Sequence, residues 1–279
     1  MSSTQRVAIV TGCGKRDGIG AAIARRLASQ GIAVVVTDIA ATGVRDRFEQ
    51  DRPETAQWKG VDDLAAEIAQ AGGDALALTG DISSKGDVDG LIAAVATRFG
   101  QVDILVNNAG APFSMAHGDV ADIDPAEFDR VMQINVTGTF LMSQAAIPFM
   151  RAGKWGRIVN VASVAGRVGS KANSAYAASK AGVIALAQTF ALDLGGDGIT
   201  ANAVLPGFIF TSRTLSGMSK KMGGVPLDEE TIARSKPSVP VGRDGTPEDI
   251  AATVAFLVSE DAAFTTGQSF IVDGGSLRL

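Results

Sequence analysis

Seven short apolar runs, separated by segments of helical periodicity, constrain this chain more than any other feature. They cover residues 6–10, 33–37, 75–79, 102–106, 157–161, 200–204 and 269–272, and they are rich in β-branched residues. A strand with one wet face alternates apolar and polar residues, whereas a strand covered on both faces is apolar almost throughout. These runs are of the second kind. Helical patterns lie between them, near 19–30, 62–71, 85–99, 125–150, 174–194 and 247–259. Thr246, Pro247, Glu248 and Asp249 open the last of these, with proline suited to the first helical position. Strand–helix alternation predicts an α/β architecture: one doubly wound sheet of about seven parallel strands with helices on both faces, a single domain over 1–279.

Composition narrows the chemistry. Of 279 residues, 46% are hydrophobic and 20% charged, which is a globular composition. The net charge of −5 argues against a broad nucleic-acid surface. One cysteine, Cys13, excludes an intrachain disulfide and a multi-cysteine zinc site, and one histidine, His117, excludes a multi-histidine metal site. No metal site is expected. Tyr176 is the single tyrosine, so chemistry needing a phenol has one candidate. The first six residues lack a signal-peptide pattern, and no apolar stretch reaches the ~20 residues that span a bilayer. The expectation is a cytoplasmic protein with neither membrane nor nucleic-acid partner.

Two segments interrupt the alternation. Residues 40–61 form a polar insertion after the second strand, with Arg45, Asp46, Arg47, Asp51, Arg52, Pro53 and Trp58. Residues 207–243 form a long excursion after the sixth, read as a substrate lid. Both leave the carboxyl ends of strands, where open α/β sheets bind ligands.

The first strand runs into Thr11, Gly12, Cys13, Gly14, three polar residues, Gly18, Ile19 and Gly20, then a helix. Glycines between a strand and a helix let backbone N–H groups approach a diphosphate at the helix N-terminus. Gly12, Gly14, Gly18 and Ile19 are therefore expected at a dinucleotide. Asp38 ends the second strand 18 residues beyond Gly20, near the ~20 expected of a ribose-binding carboxylate. A carboxylate there repels a 2′-phosphate and favours NAD over NADP. Lys15 and Arg16 argue the other way.

Tyr176 and Lys180 are four residues apart within a helical pattern and so share a helix face. An ammonium beside a phenol stabilises the phenolate. Such a phenol can give a proton to a carbonyl or take one from an alcohol while hydride moves to or from a nicotinamide. Ser163, at the end of the fifth strand, can hydrogen-bond the substrate oxygen.

At these residues the chain resembles the short-chain dehydrogenases/reductases, over nearly its whole length, and the resemblance implies a Rossmann-like fold. Ser163, Tyr176 and Lys180 have the family's spacing. Asn107, Asn108, Ala109 and Gly110 match its Asn-Asn-Ala-Gly signature, and Asp81 with Ile82 its adenine-side acidic position. Pro206, Gly207, Ile209 and Thr211 match its nicotinamide-side segment, and Val272, Asp273, Gly274 and Gly275 its C-terminal strand ending. The resemblance implies Tyr176 as general acid/base, Ser163 as the substrate-polarising group, Lys180 on the nicotinamide ribose, and Asn135 as holder of a water in a proton relay. The implied activity is hydride transfer between NAD and a secondary alcohol or ketone. An NADPH-dependent 3-oxoacyl-thioester reductase is the alternative, and a non-catalytic nucleotide sensor a remote one.

Two departures from the family stand out. Gly12 and Gly18 enclose five residues instead of three, and the 40–61 segment is longer than usual and expected near the adenosine. It either covers the cofactor or is a surface insertion. The helix at 175–194 has apolar long residues nearly all round, which predicts burial against a second subunit, and family members commonly form homotetramers. His117 is read as a loop residue near the substrate, Cys13 as a buried small side chain, and Arg213, Lys220 and Lys221 as solvated lid cations or contacts to an anionic substrate. Substrate identity, direction and stereochemistry are not legible.

Overall fold

A computed structural model describes residues 5–49, 57–225, 227–235 and 239–278. Seven parallel strands form one sheet: β1 (Val7–Thr11), β2 (Ala33–Asp38), β3 (Ala75–Thr79), β4 (Ile104–Asn107), β5 (Gly156–Val161), β6 (Ile199–Pro206) and β7 (Ser269–Val272). Their spatial order is β3-β2-β1-β4-β5-β6-β7. Chain order reverses between β1 and β4, which is where such sheets open a ligand crevice beyond their carboxyl ends.

Side chains alternate across a strand, and both faces of this sheet are covered. Ala8, Val10, Val34, Val36, Ile104 and Val106 point to one face. There they meet α1 (Ile19–Ala28), α2 (Val61–Gln70) and α10 (Pro247–Leu257). Val7, Ile9, Val35 and Leu105 point to the other, toward α3 (Lys85–Phe99), α5 (Gly138–Gly153) and α7 (Ser174–Leu194). The register sets Ala8 against both Val34 and Ile104, and Val10 against Val36 and Val106. Each face thus receives rows of β-branched side chains, the physical origin of the unbroken apolar runs. The Thr246–Asp249 capping box opens α10, with Pro247 in its first turn.

The structure departs from the sequence reading in three elements. The pattern at 125–150 is not one regular helix: α4 (Pro125–Met132) passes through a π-helical turn at Gln133–Thr137 into α5. Asn135 lies in that turn, and its side chain is tied to the loop after β4 at Ala111 and to α7 at Ser179. The excursion at 207–243 is partly helical, with α8 (Ser212–Lys221) and α9 (Glu229–Ser235). α8 starts from a capping box in which Thr211 and Thr214 satisfy each other's ends. In α7 the long apolar residues Val183, Ile184 and Phe190 are buried, whereas Leu192 is 86% exposed. The helix is therefore buried on every side only if something covers that face. A short helix, α6 (Ala165–Val168), precedes α7. Asp51, Arg52 and Pro53 of the insertion lie outside the described residues.

Candidate active site

The carboxyl ends of β1, β2, β4, β5 and β6 open into a cavity of about 640 Å³ that runs from Asp38 to Tyr176. At the Asp38 end, Gly12, Gly18 and Ile19 line the wall. Gly12 has φ +74°, and a Cβ there would come within 2.7 Å of the Ala109 Cα. Only glycine permits that turn to lie against the loop after β4. Asn108 fastens the two loops, donating through Nδ2 to the carbonyls of Thr11 and Gly12 at 2.8 and 3.0 Å. Gly14 sits differently from Gly12 and Gly18: it does not line the cavity. Its N–H donates to Asp38 Oδ2 at 2.9 Å, its carbonyl accepts from Trp58 Nε1 at 2.8 Å, and a Cβ on it would meet the backbone of Gly43 at 2.3 Å. Two extra residues in the loop thus dock it on the 40–61 insertion.

The rest of the insertion reaches along the groove. Glu49 accepts from Lys15 Nζ at 2.7 Å. Asp46, buried at 6% exposure, accepts from the Ser114 N–H beyond β4 at 2.8 Å. Gly43, Val44, Asp46 and Glu49 all line the cavity. Burial pushes the Asp38 carboxyl upward, against the Gly14 and Ile39 N–H groups and the Lys15 charge.

Asp81, Ile82, Asn108, Ala109 and Gly110 form the next stretch of wall. Burial alone would raise the Asp81 carboxyl, but the Ser83 hydroxyl and N–H and the Arg130 guanidinium hold it below its usual range.

Ser163, Tyr176 and Lys180 converge at the far end, with Pro206, Gly207, Ile209 and Thr211 beside them. Ser163 lies just beyond β5, separated from it by Ala162, and its Oγ accepts from the Ala165 N–H at 3.2 Å. Tyr176 and Lys180 project from the first two turns of α7, and Lys180 Nζ lies 5.8 Å from the Tyr176 ring centre. Lys180 is buried and donates to the Val161 carbonyl at 2.8 Å. Burial, and after it the Arg213 charge, bring the Lys180 ammonium down to about 7. The Tyr176 hydroxyl makes no hydrogen bond to any described residue, and so it is free for a ligand.

Asn135 lies behind this wall. Its Oδ1 accepts from the Ala111 N–H and its Nδ2 donates to Ser179 Oγ, each at 2.8 Å. A Cβ placed on Gly110 would lie 3.2 Å from Asn135 Oδ1 and 3.9 Å from Lys180 Nζ, so the two groups flank one small space. His117 does not line the cavity; it stands 4.6 Å from the Phe113 ring, and burial lowers its tendency to protonate. Cys13 is fully buried, and burial pushes its thiol well up, away from redox reactivity.

The residues present suit a dinucleotide. No side chain caps the N–H groups that open α1, and its first turn holds no acid. Uncapped N–H groups at a helix N-terminus attract a diphosphate. A carboxylate stands at one end of the cavity for a ribose and a phenol–ammonium pair at the other for a redox centre. Among the described residues, no group of His, Cys, Asp or Glu could hold a metal ion, and no helix is long and apolar enough to cross a membrane.

Sequence reasoning did not anticipate Asp17, which binds Ser212 across the groove, or Ser179, the partner of Asn135. The five-residue glycine spacing was the available signal for the first. Ser143 and Asn160, joined beneath the site through Nδ2 of Asn107, left no such trace, whereas Asn107 itself was marked by the Asn-Asn-Ala-Gly signature.

Comparison with known proteins gives the chain's relatives. Residues 52–276 match the family described as Enoyl-(Acyl carrier protein) reductase. The chain is 37% identical to 2-(S)-hydroxypropyl-CoM dehydrogenase 3 of Xanthobacter autotrophicus (strain ATCC BAA-1158 / Py2), over the full length of both. It is 36% identical to a 3-oxoacyl-[acyl-carrier-protein] reductase of Synechocystis, over 99% of this chain and 98% of the relative. The crystal structure of levodione reductase superposes with a TM-score of 0.84 at 31% identity, covering 97% of each chain. With its seven-stranded parallel sheet and full-length relatives named as dehydrogenases and reductases, the chain belongs to the short-chain dehydrogenase/reductase family and is an oxidoreductase acting on CH–OH groups.

Proposed function

We propose that the protein interconverts a secondary alcohol and its ketone with NAD as preferred cofactor, and that Tyr176 is the general acid/base. The observation that carries this reading is the unengaged Tyr176 hydroxyl on the cavity wall, one helical turn from a buried lysine. When bound, the nicotinamide supplies or accepts the hydride. Tyr176 holds the proton that passes to or from the substrate oxygen. Lys180, fixed by the Val161 carbonyl, stands beside the phenol to take the nicotinamide ribose. Ser163 Oγ donates to the same substrate oxygen and orients it. Asn135 and Lys180 flank the space beside Gly110 through which a proton can leave toward solvent. Gly12, Gly18 and Ile19 offer N–H groups to the diphosphate, Asp38 takes the adenosine ribose, and Asp81 and Ile82 take the adenine side. Asn108, Ala109 and Gly110 line the groove, and Pro206, Gly207, Ile209 and Thr211 border the nicotinamide.

NAD is favoured by two negative groups at the adenosine end. Asp38 would repel a 2′-phosphate, and Glu49 occupies the Lys15 ammonium that could otherwise attract one. The NADPH-dependent 3-oxoacyl-thioester reductase remains the alternative, supported by the Synechocystis relative; a large NADPH advantage would favour it. A homotetramer is supported by further apolar exposures: Phe140 and Leu192 on α5 and α7, Phe256 on α10, and fully exposed Phe264 in the segment after α10. A cytoplasmic location accompanies this reading, in keeping with a chain whose one cysteine is buried and free.

The test is Tyr176→Phe, assayed with an alcohol and ketone panel and both cofactors. Turnover should fall by about 10²–10⁴-fold, the range of general acid–base catalysis, while NADH fluorescence titration still reports binding. A variant turning over ketones at the native rate would remove Tyr176 from the chemistry.

A further inference from the structure

The substrate end of the cavity is mostly apolar. Phe113, Phe208, Met218 and Met222 line it. Into this apolar space projects one guanidinium. Arg213, on the first turn of α8, lines the cavity with its Cζ 5.7 Å from the Tyr176 ring centre.

Arg213 has no carboxylate partner among the described residues. Its one hydrogen bond runs from NH1 to the Ala111 carbonyl at 2.7 Å, a neutral acceptor. A guanidinium carries five N–H donors in a planar fork, so most of its donors are left for something else. Acids on and beside the groove are already engaged. Asp46 accepts from the Ser114 and Phe48 N–H groups, Glu49 from Lys15 and the Asp46 N–H, and Glu127 from the Ala116 N–H. Lys221 lines the same cavity, exposed and without an ionic partner among the described residues. The Arg213 charge beside the phenol thus meets no carboxylate among the described residues. Proximity of this charge also discourages protonation of Lys180, which a solvated lid cation would not do.

The fork is held in place. Ala111 anchors NH1, and the preceding residue, Ser212, is fixed by Asp17 through both its N–H and its hydroxyl. A guanidinium restrained in this way loses little entropy on binding a planar anion and can do so through two parallel bonds.

We propose that the substrate is an oxo acid or hydroxy acid, whose carboxylate binds Arg213 a few bonds from the reacting carbon while its apolar part lies against Phe113, Phe208 and Met218. This rests on the assignment of Tyr176 as the acid/base and adds the class of substrate presented to it. Arg213 acts on specificity: it sets which ketones reach Tyr176.

The experiment compares 3-oxo- and 4-oxoalkanoates with their methyl esters, using the full chain with NADH, for the native protein, Arg213→Gln and Arg213→Lys. The native kcat/KM should favour the acid over its ester by about tenfold or more, the worth of one charge-assisted pair. Arg213→Gln should collapse that ratio chiefly through KM, and Arg213→Lys should recover part of it by restoring charge without the fork. Calorimetric binding of the same pairs to the NAD-loaded protein gives the same comparison where turnover is slow. Equal use or binding of acid and ester by the native protein, or an unchanged ratio in Arg213→Gln, overturns the proposal. The two failures are distinct: the Tyr176→Phe result bears on the mechanism alone, and the acid-to-ester ratio on Arg213 alone.

Discussion

Asp17 and Ser212, 195 residues apart, join the glycine loop to the start of α8: Asp17 Oδ2 accepts from the Ser212 N–H at 2.8 Å and Oδ1 from its hydroxyl at 2.9 Å. The contact places a carboxylate at the first turn of α8, where helix N–H groups carry partial positive charge. It spans the groove between the glycine loop and the helix that carries Arg213.

If that bridge holds α8 over a bound dinucleotide, Asp17→Ala should release the cofactor faster. We expect the NADH dissociation rate, measured by stopped-flow displacement, to rise about tenfold for a loss of ~1.4 kcal/mol. Asp17→Asn, which keeps one acceptor for the Ser212 N–H, should fall between. A dissociation rate equal to that of the native protein in both variants would leave the bridge without a role in cofactor retention.

Cofactor choice should respond to Glu49. Its carboxylate holds Lys15 Nζ at 2.7 Å, with both side chains largely shielded. Glu49→Gln frees the ammonium to meet a 2′-phosphate. The NADP-to-NAD ratio of kcat/KM should rise by about three- to tenfold, the scale of one partly exposed charge interaction. A ratio that does not move would mean that Lys15 lies out of reach of the 2′ position.

Stability should track the ionisation of Lys180. Burial and the Arg213 charge bring it from 10.5 down to about 7 in the folded protein. Between those two values the unfolded chain binds the extra proton and the folded one does not. Stability therefore rises with pH from about 7 toward 10.5 as far as this residue is concerned. Lys180→Met removes the titrating group. The melting-temperature gap between pH 9.5 and pH 7 should be larger in the native protein than in the variant. An equal gap in both would show that Lys180 keeps its ordinary ionisation when folded.

Much of this molecule is legible in one dimension. β-branched runs such as Val34–Val36 declare a strand buried on both faces, because no half-wet strand can bear them, and their alternation with helical segments leaves little but a parallel sheet. The Tyr176–Lys180 spacing is a property of the helix itself, and the step from β1 to α1 is encoded by glycines with no substitute at Gly12. These are local constraints, and a linear pattern carries them.

Contacts between distant segments decided the rest. Gly14 looks like a cofactor residue in sequence, yet its N–H belongs to Asp38 and its carbonyl to Trp58, because a polar insertion of unusual length folds back on an expanded loop. Asn135 owes its position to a π-helical turn that no periodicity announces. Arg213 reads as either a solvated lid cation or a contact to an anionic substrate until α8 brings it beside Tyr176, and Asp17 reads as one more loop acid until Ser212 meets it. Residue type and spacing determined that there would be a crevice with a phenol and an ammonium in it. Which charges face one another across that crevice was decided only by folding, since charge pairing depends on distance in space and not on separation along the chain.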